Sequence, residues 1–128
     1  MKNLLFKELA ADTREALFLW KQSLRLSIAI LIADLKQKAY NRRYWVLPDP
    51  KDRLVALNNR DIKRLKKLGI MSKKVDFIHL LSESFYYTPL DRNNKKSALS
   101  EQEKAKKRLS WLLYSQKLYR KSWKRRSH

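Results

Sequence analysis

Tyr44-Trp45-Val46-Leu47-Pro48-Asp49-Pro50-Lys51-Asp52-Arg53-Leu54-Val55-Ala56-Leu57 is the stretch on which the fold class turns. Its first four residues are aromatic and β-branched or long apolar types, which suit a pleated, half-buried strand. The following Pro48 to Asp52 carries turn chemistry, since proline fixes φ and aspartate hydrogen-bonds the backbone just beyond itself. Arg53 to Leu57 resumes an extended pattern, so residues 44–57 are expected to form a β-hairpin with a five-residue loop. Around it the 128-residue chain has one Gly and three Pro. That is too few for a many-stranded sandwich or barrel, which needs a turn every ~8 to 12 residues. The expected class is α+β, mostly helical, in a single domain.

Upstream, residues 1–39 contain no Gly or Pro and are expected to form one long helix. Leu17, Trp20, Leu24, Ile28, Leu31 and Leu35 recur at steps of three and four and share one stripe. Leu19, Leu26, Ile30 and Ala33 fall on a different side. A helix apolar on two sides is expected to be sandwiched, either centrally in its own domain or against another copy or another protein. The first stripe is the candidate protein interface, and the near-neutral charge of residues 1–35, five basic against four acidic, suits packing.

Downstream, Asn58 or Asn59 is placed to cap a helix, with Asp61 in its first turn where the helix dipole favours an acid. That helix should run to about Leu68 and stop at Gly69. A second short helix is expected over Lys73 to Ser84, with Val75, Ile78, Leu81 and Phe85 on its inner side. Phe85 to Thr88 reads as a third strand beside the hairpin, and residues 90–99 as a polar linker. Ser100 and Glu103 have the spacing of a capping box at the start of a last helix, over residues 100–128. Its Ala105, Leu109, Leu112, Tyr119 and Trp123 share one face, and Lys106, Lys117, Arg120, Lys121 and Lys124 the other.

The net charge of +19 is concentrated in two blocks, +10 over residues 36–74 and +11 over residues 92–128. Such self-repulsion is relieved by a polyanion or an acidic surface. The candidate nucleic-acid contacts are Lys63, Arg64, Lys66, Lys67, Lys73 and Lys74 in the first block. In the second they are Lys106, Lys107, Lys117, Arg120, Lys121, Lys124, Arg125 and Arg126. From residue 104 onward ten basic residues meet no acid, whereas merely solvated helix faces mix both signs. Trp111, Tyr114, Tyr119 or Trp123 could stack on bases there, unless they are core. A basic amphipathic helix with tryptophans also suits an anionic membrane surface.

Asp61 to Leu81 resembles a helix-turn-helix motif, with Leu65, Gly69, Ile70, Ser72, Val75 and Ile78 at the inner and turn positions. It departs at Leu65, where that motif usually places a small residue. The resemblance implies that Ser72, Lys73, Lys74, Asp76 and Phe77 begin a recognition helix, although Asp76 is a poor base reader.

Groups for catalysis are sparse. There is no cysteine, His79 sits among apolar residues with no evident carboxylate or serine partner, and His128 is the last residue. Asp49 and Asp52 are explained by the turn they flank, and one glycine cannot build a phosphate-cradling loop. No enzyme, cofactor or metal site is expected. Charged residues interrupt the first turns where a signal peptide needs an apolar run. The longest uncharged run, Leu26 to Ala33, is far short of the ~20 residues that cross a bilayer, so no membrane span is expected.

The segments Arg43-Tyr-Trp-Val-Leu-Pro-Asp, Leu57-Asn-Asn-Arg and Phe85-Tyr-Tyr-Thr-Pro, within residues 43–89, resemble small basic proteins of tailed phages and mobile elements of gut Bacteroidetes. The resemblance implies either a binder of the element's DNA or a small virion component. The expected function is non-enzymatic nucleic-acid binding, to DNA rather than RNA, in the cytoplasm. The alternative is a structural or assembly protein of a virion, with homo-oligomer or partner contacts through the N-terminal helix.

Overall fold

A computed structural model describes residues 12–90 and 98–126, the side chains of Arg125 and Arg126 excepted. The chain is α+β and mostly helical. Helix α1 spans Thr13–Tyr40, strands β1 and β2 span Trp45–Pro48 and Leu54–Leu57, and helix α2 spans Asn59–Lys67. Helix α3 spans Phe77–Glu83, β3 spans Tyr86–Tyr87 and helix α4 spans Glu101–Arg126.

The hairpin forms as its turn chemistry demands. Pro48 pairs with Leu54 across a five-residue loop, residues 49–53. Asp49 Oδ1 accepts from the backbone N–H of Lys51 and of Arg53, at 2.8 and 2.9 Å. These bonds, that from Arg53 foremost, hold the Asp49 carboxyl below the usual carboxylate range. β3 adds on the other edge of β1, giving an antiparallel sheet of order β2-β1-β3.

Period-two alternation then divides the molecule into three layers. Tyr44, Val46 and Tyr86 pack against Leu26, Ala29 and Ala33 of α1 and Trp111 of α4. Trp45 and Leu47 point the other way, onto Ile62 of α2 and Leu80 of α3. Leu19 of α1 and Leu112 of α4 close a third cluster, where the two long helices run side by side.

The helix ends are set by identifiable side chains. Asp12, extended at φ −151°, accepts from Glu15 N–H and starts α1 at Thr13 rather than at residue 1; residues 1–11 lie outside the described residues. Asn41 ends it in the left-handed region at φ 56°. Asn58 and Asp61 form a reciprocal capping box on α2. Gly69, at φ 76°, stops that helix with Gly69 N–H bonded to Lys66 O and Ile70 N–H bonded to Leu65 O. Ser100 and Glu103 cap α4 as their spacing predicts. Of the expected linker, residues 91–97 lie outside the described residues.

Four expectations are corrected. The second short helix opens at Phe77, not Lys73, because Asp76 caps it by accepting from His79 N–H. Its buried side chain is Leu80, whereas Ile78 is exposed. Phe85 packs not on this helix but against Trp111 and Tyr114 on the far side of the sheet. On α4, Ala105, Leu109 and Trp123 lie outward, and Trp111, Leu112 and Ser115 are the buried set. The inward face is chosen by what meets α1: Trp111 Nε1 donates to Gln22 O at 2.7 Å, and Gln22 Nε2 donates to Ser115 Oγ at 3.1 Å.

The two stripes of α1 separate cleanly. Leu19, Leu26 and Ala33 are buried, and Ile30 packs partly against the same core. The stripe of Leu17, Trp20, Leu24, Ile28, Leu31 and Leu35 faces outward on the opposite side of the helix. Nine residues, as from Leu17 to Leu26, make about two and a half turns.

Candidate nucleic-acid interface

Positive charge gathers where α1 ends, β1 begins and α2 starts. A cavity of about 410 Å³ there is lined by Lys36, Tyr40, Arg42, Tyr44, Asn58, Arg60 and Asp61. Lys36 and Tyr40 come from the last two turns of α1, Arg42 from the bend after its Asn41 stop, and Arg60 from the first turn of α2. Lys36 Nζ stands 5.8 Å from the centre of the Tyr44 ring, a cation held over an aromatic face. Tyr40 is 64% exposed at the rim, a stacking surface open to solvent. Asp61, whose carboxylate accepts from Asn58 N–H at 3.1 Å, is the one acid in the lining, and Lys36, Arg42 and Arg60 outnumber it.

From the pocket a row of cations continues along α2. Arg60, Lys63, Arg64 and Lys67 stand at i, i+3, i+4 and i+7, one face of the helix, and all four are exposed. The opposite face carries Ile62 into the core beneath Trp45 and Leu47. The row is therefore held rigidly by the sheet, with Trp45 Nε1 bonded to Asn59 Oδ1 at 3.3 Å at the head of the same helix.

A second row lies on α4. Lys106, Lys117, Lys121 and Lys124 are exposed on the side turned away from Trp111 and Leu112. Arg125 and Arg126 complete the sequence-predicted set, but their side chains lie outside the described residues.

Other expected contacts are engaged within the fold. Lys66 Nζ donates to Val75 O and ties the turn after Gly69 to α2. Lys107 Nζ donates to Leu81 O and Ser84 O, at 2.8 and 2.6 Å, capping the carbonyl end of α3. It also lies 5.5 Å from the Tyr87 ring centre. Burial pushes the Lys107 ammonium down from its ordinary pKa. Arg120 grips the buried Glu15 carboxylate at 3.1 and 3.3 Å, beside Gln116 at 2.7 Å. These three are structural ties between elements. Lys73 and Lys74 are exposed but precede α3, on the nine-residue connection from Leu68 to Asp76. The turn of a helix-turn-helix has three or four residues, and Ile70 and Ile78, expected at its inner positions, are both exposed.

Of the aromatic residues considered for stacking, Trp111 is 1% exposed and belongs to the core. Tyr114 donates to Asp52 Oδ1 at 2.6 Å, a bond that, with burial, pushes its phenol up to about 12. Tyr119 stacks on Phe18, and Trp123, partly exposed, meets Tyr119 edge-on.

Sequence reading missed Lys36, Arg42 and Arg60, together with Tyr40. Only Arg60 had a local signal, as the first member of the i, i+3, i+4, i+7 row. Equally, His79 has a carboxylate partner: its Nδ1 lies 2.8 Å from Asp76 Oδ1. Asp76, held below the usual carboxylate range mainly by His79 N–H, is the cap of α3, and the pair is exposed. Among the described residues, no three His, Cys, Asp or Glu side chains group so as to hold a metal ion. By length and composition alone, α1 would suffice to cross a bilayer, but its inner face carries buried Glu15, Gln22 and Gln37 against the rest of the fold.

No family model, curated protein or solved structure matches the chain.

Proposed function

We propose that this chain binds nucleic acid, duplex DNA in the first instance, through the cation row of α2 and the pocket at its head, without catalysis. The observation that carries this is the row itself: Arg60, Lys63, Arg64 and Lys67 on one rigid face, continuous with Lys36 and Arg42. From Arg60 to Lys67 the row is about 10 Å long, over which one strand of a duplex presents roughly three phosphates. Arginine and lysine heads at this spacing replace condensed counterions, whose release drives binding. Lys106, Lys117, Lys121 and Lys124 supply a second contact along α4. Tyr40 beside Lys36 and Arg42 offers a ring for an unpaired base, so a single strand is expected to bind as well.

The test is affinity for a labelled random duplex and a labelled single strand across about 50 to 300 mM salt, where six phosphate contacts give a log–log slope of roughly −5 on duplex. A flat, negligible affinity at the lowest salt would sink the proposal. One observation favours a second reading, a structural or assembly subunit such as a virion component: the apolar outer face of α1. A subunit of that kind would be sticky without its partner and show no steep salt dependence on DNA.

A further inference from the structure

Among the described residues, the outer face of α1 exposes seven large apolar side chains, while its inner face is built largely from small and polar residues, Ala29, Ala33, Gln22 and Gln37. A helix serving only its own core would be arranged the other way round. The six side chains of the outer stripe, with Ile32, are each between 42% and 59% exposed. Together they leave on the order of 600 Å² of contiguous apolar surface, the upper limit of what a typical monomer shows.

The pattern within that surface is specific. Leu17, Leu24 and Leu31 recur every seven residues, and Ile28 and Leu35 recur every seven on the interleaved positions, interrupted there by Lys21. Apolar residues at both heptad seam positions, with one lysine among them, make the kind of stripe along which helices pair. The seven-residue recurrence, shorter than two full turns of 3.6, is what makes two helices wrap on each other.

We propose that a second copy of this chain docks here, its α1 antiparallel to the first about a two-fold axis near residue 26. The pairing is self-complementary: Leu17 meets the partner's Leu35, and Leu24 the partner's Ile28. Two such faces remove about 1,200 Å² from water, the area at which specific interfaces become stable. Charge sets the direction. Lys21 lies in the seam, and a parallel in-register pair would set it against the partner's Lys21. The antiparallel pair places it beside the partner's Leu31, where its aliphatic stem can pack while the ammonium stays in water.

This inference does not rest on nucleic-acid binding, and its test uses none. The full chain is expected to sediment as a dimer that dissociates on dilution through the micromolar range, with a concentration-dependent Tm. Leu24→Glu with Leu31→Glu changes only side chains that are exposed in the monomer, so helix content should be kept while dimerisation weakens at least ~100-fold. Since the chain has no cysteine, L17C and L35C proteins report the geometry. When mixed under mild oxidation they should form the mixed disulfide, and L17C alone should not cross-link. A wild-type chain that stays monomeric at every concentration overturns the proposal. So does one that remains monomeric in buffer but binds phosphatidylserine vesicles through Leu24 and Leu31. Efficient L17C self-cross-linking overturns the antiparallel arrangement.

Discussion

Neutralising the α2 row, with Arg60→Gln, Lys63→Gln, Arg64→Gln and Lys67→Gln together, should abolish most duplex affinity while leaving the fold in place. Glutamine has nearly the helix propensity of lysine and arginine. The Asn58–Asp61 capping box and buried Ile62, which fix α2, are untouched. Each phosphate contact contributes about 0.9 to the slope of log affinity against log salt, so losing the roughly three phosphates that the row spans flattens it by up to ~2.7. Near 100 mM salt the same term corresponds to between two and three orders of magnitude in affinity, on the order of 4 kcal/mol. Fluorescence anisotropy of a labelled duplex across a salt series reads slope and affinity together, and circular dichroism checks the helix content. Lys106→Gln, Lys117→Gln, Lys121→Gln and Lys124→Gln on α4 serve as the comparison and should flatten the slope less. An α2 variant that is folded and keeps the wild-type slope refutes the assignment of the contact to this row.

Lys107→Met keeps the aliphatic stem but removes both bonds to the α3 carbonyls. It should cost about 2 kcal/mol, a fall in Tm of roughly 8 °C, with duplex affinity hardly changed. A variant of wild-type stability would show that Lys107 does not hold α3. Gly69→Ala introduces no clash, since nothing lies within 4 Å of the added methyl, so its cost is the left-handed φ alone, about 1 kcal/mol by chemical denaturation. Any stabilisation there would contradict the helix stop. Asp49, Asp76 and Glu103 all have folded pKa values below the ordinary carboxylate range. The stability they contribute is therefore complete above the unfolded carboxylate pKa, near 4, and is lost as pH falls through the depressed folded values. Thermal melts should be steady between pH 6 and 5 and drop below about 4, and a chain equally stable at pH 3 would argue against those caps and turns.

Local signals carried most of the fold. The hairpin and its loop length, the Asn58 cap, the Gly69 stop and the Ser100–Glu103 box each rest on residues a few positions apart, and each formed. What stayed illegible was set by contacts distant in sequence. Lys107 reaches Leu81 and Ser84 over more than twenty residues, and Arg120 reaches Glu15 over more than a hundred. In a one-dimensional reading both look like members of a basic face, because long cationic stems can cover apolar surface while their heads find carbonyls or carboxylates. The pocket was hidden for the same reason. Lys36, Arg42 and Arg60 come from three separate elements and become neighbours only after Asn41 turns the chain out of α1.

The two faces of α1 show how far pattern goes and where packing takes over. Period alone finds both stripes, half a turn apart, and cannot say which one the domain keeps. Residue size and hydrogen bonding decide. Ala29 and Ala33 let the backbone of α1 approach the sheet, and Gln22 supplies a carbonyl for Trp111 and an amide for Ser115. The leucine and isoleucine stripe, docked there, would hold the sheet several ångströms away and leave Trp111 Nε1 without an acceptor, at a cost of roughly 1 to 3 kcal/mol for a buried donor. The larger side chains are thus excluded from the interior by the same contacts that build it. The domain folds by turning its most hydrophobic stripe outward, and a surface of that composition is explained by what it meets, not by what it holds inside.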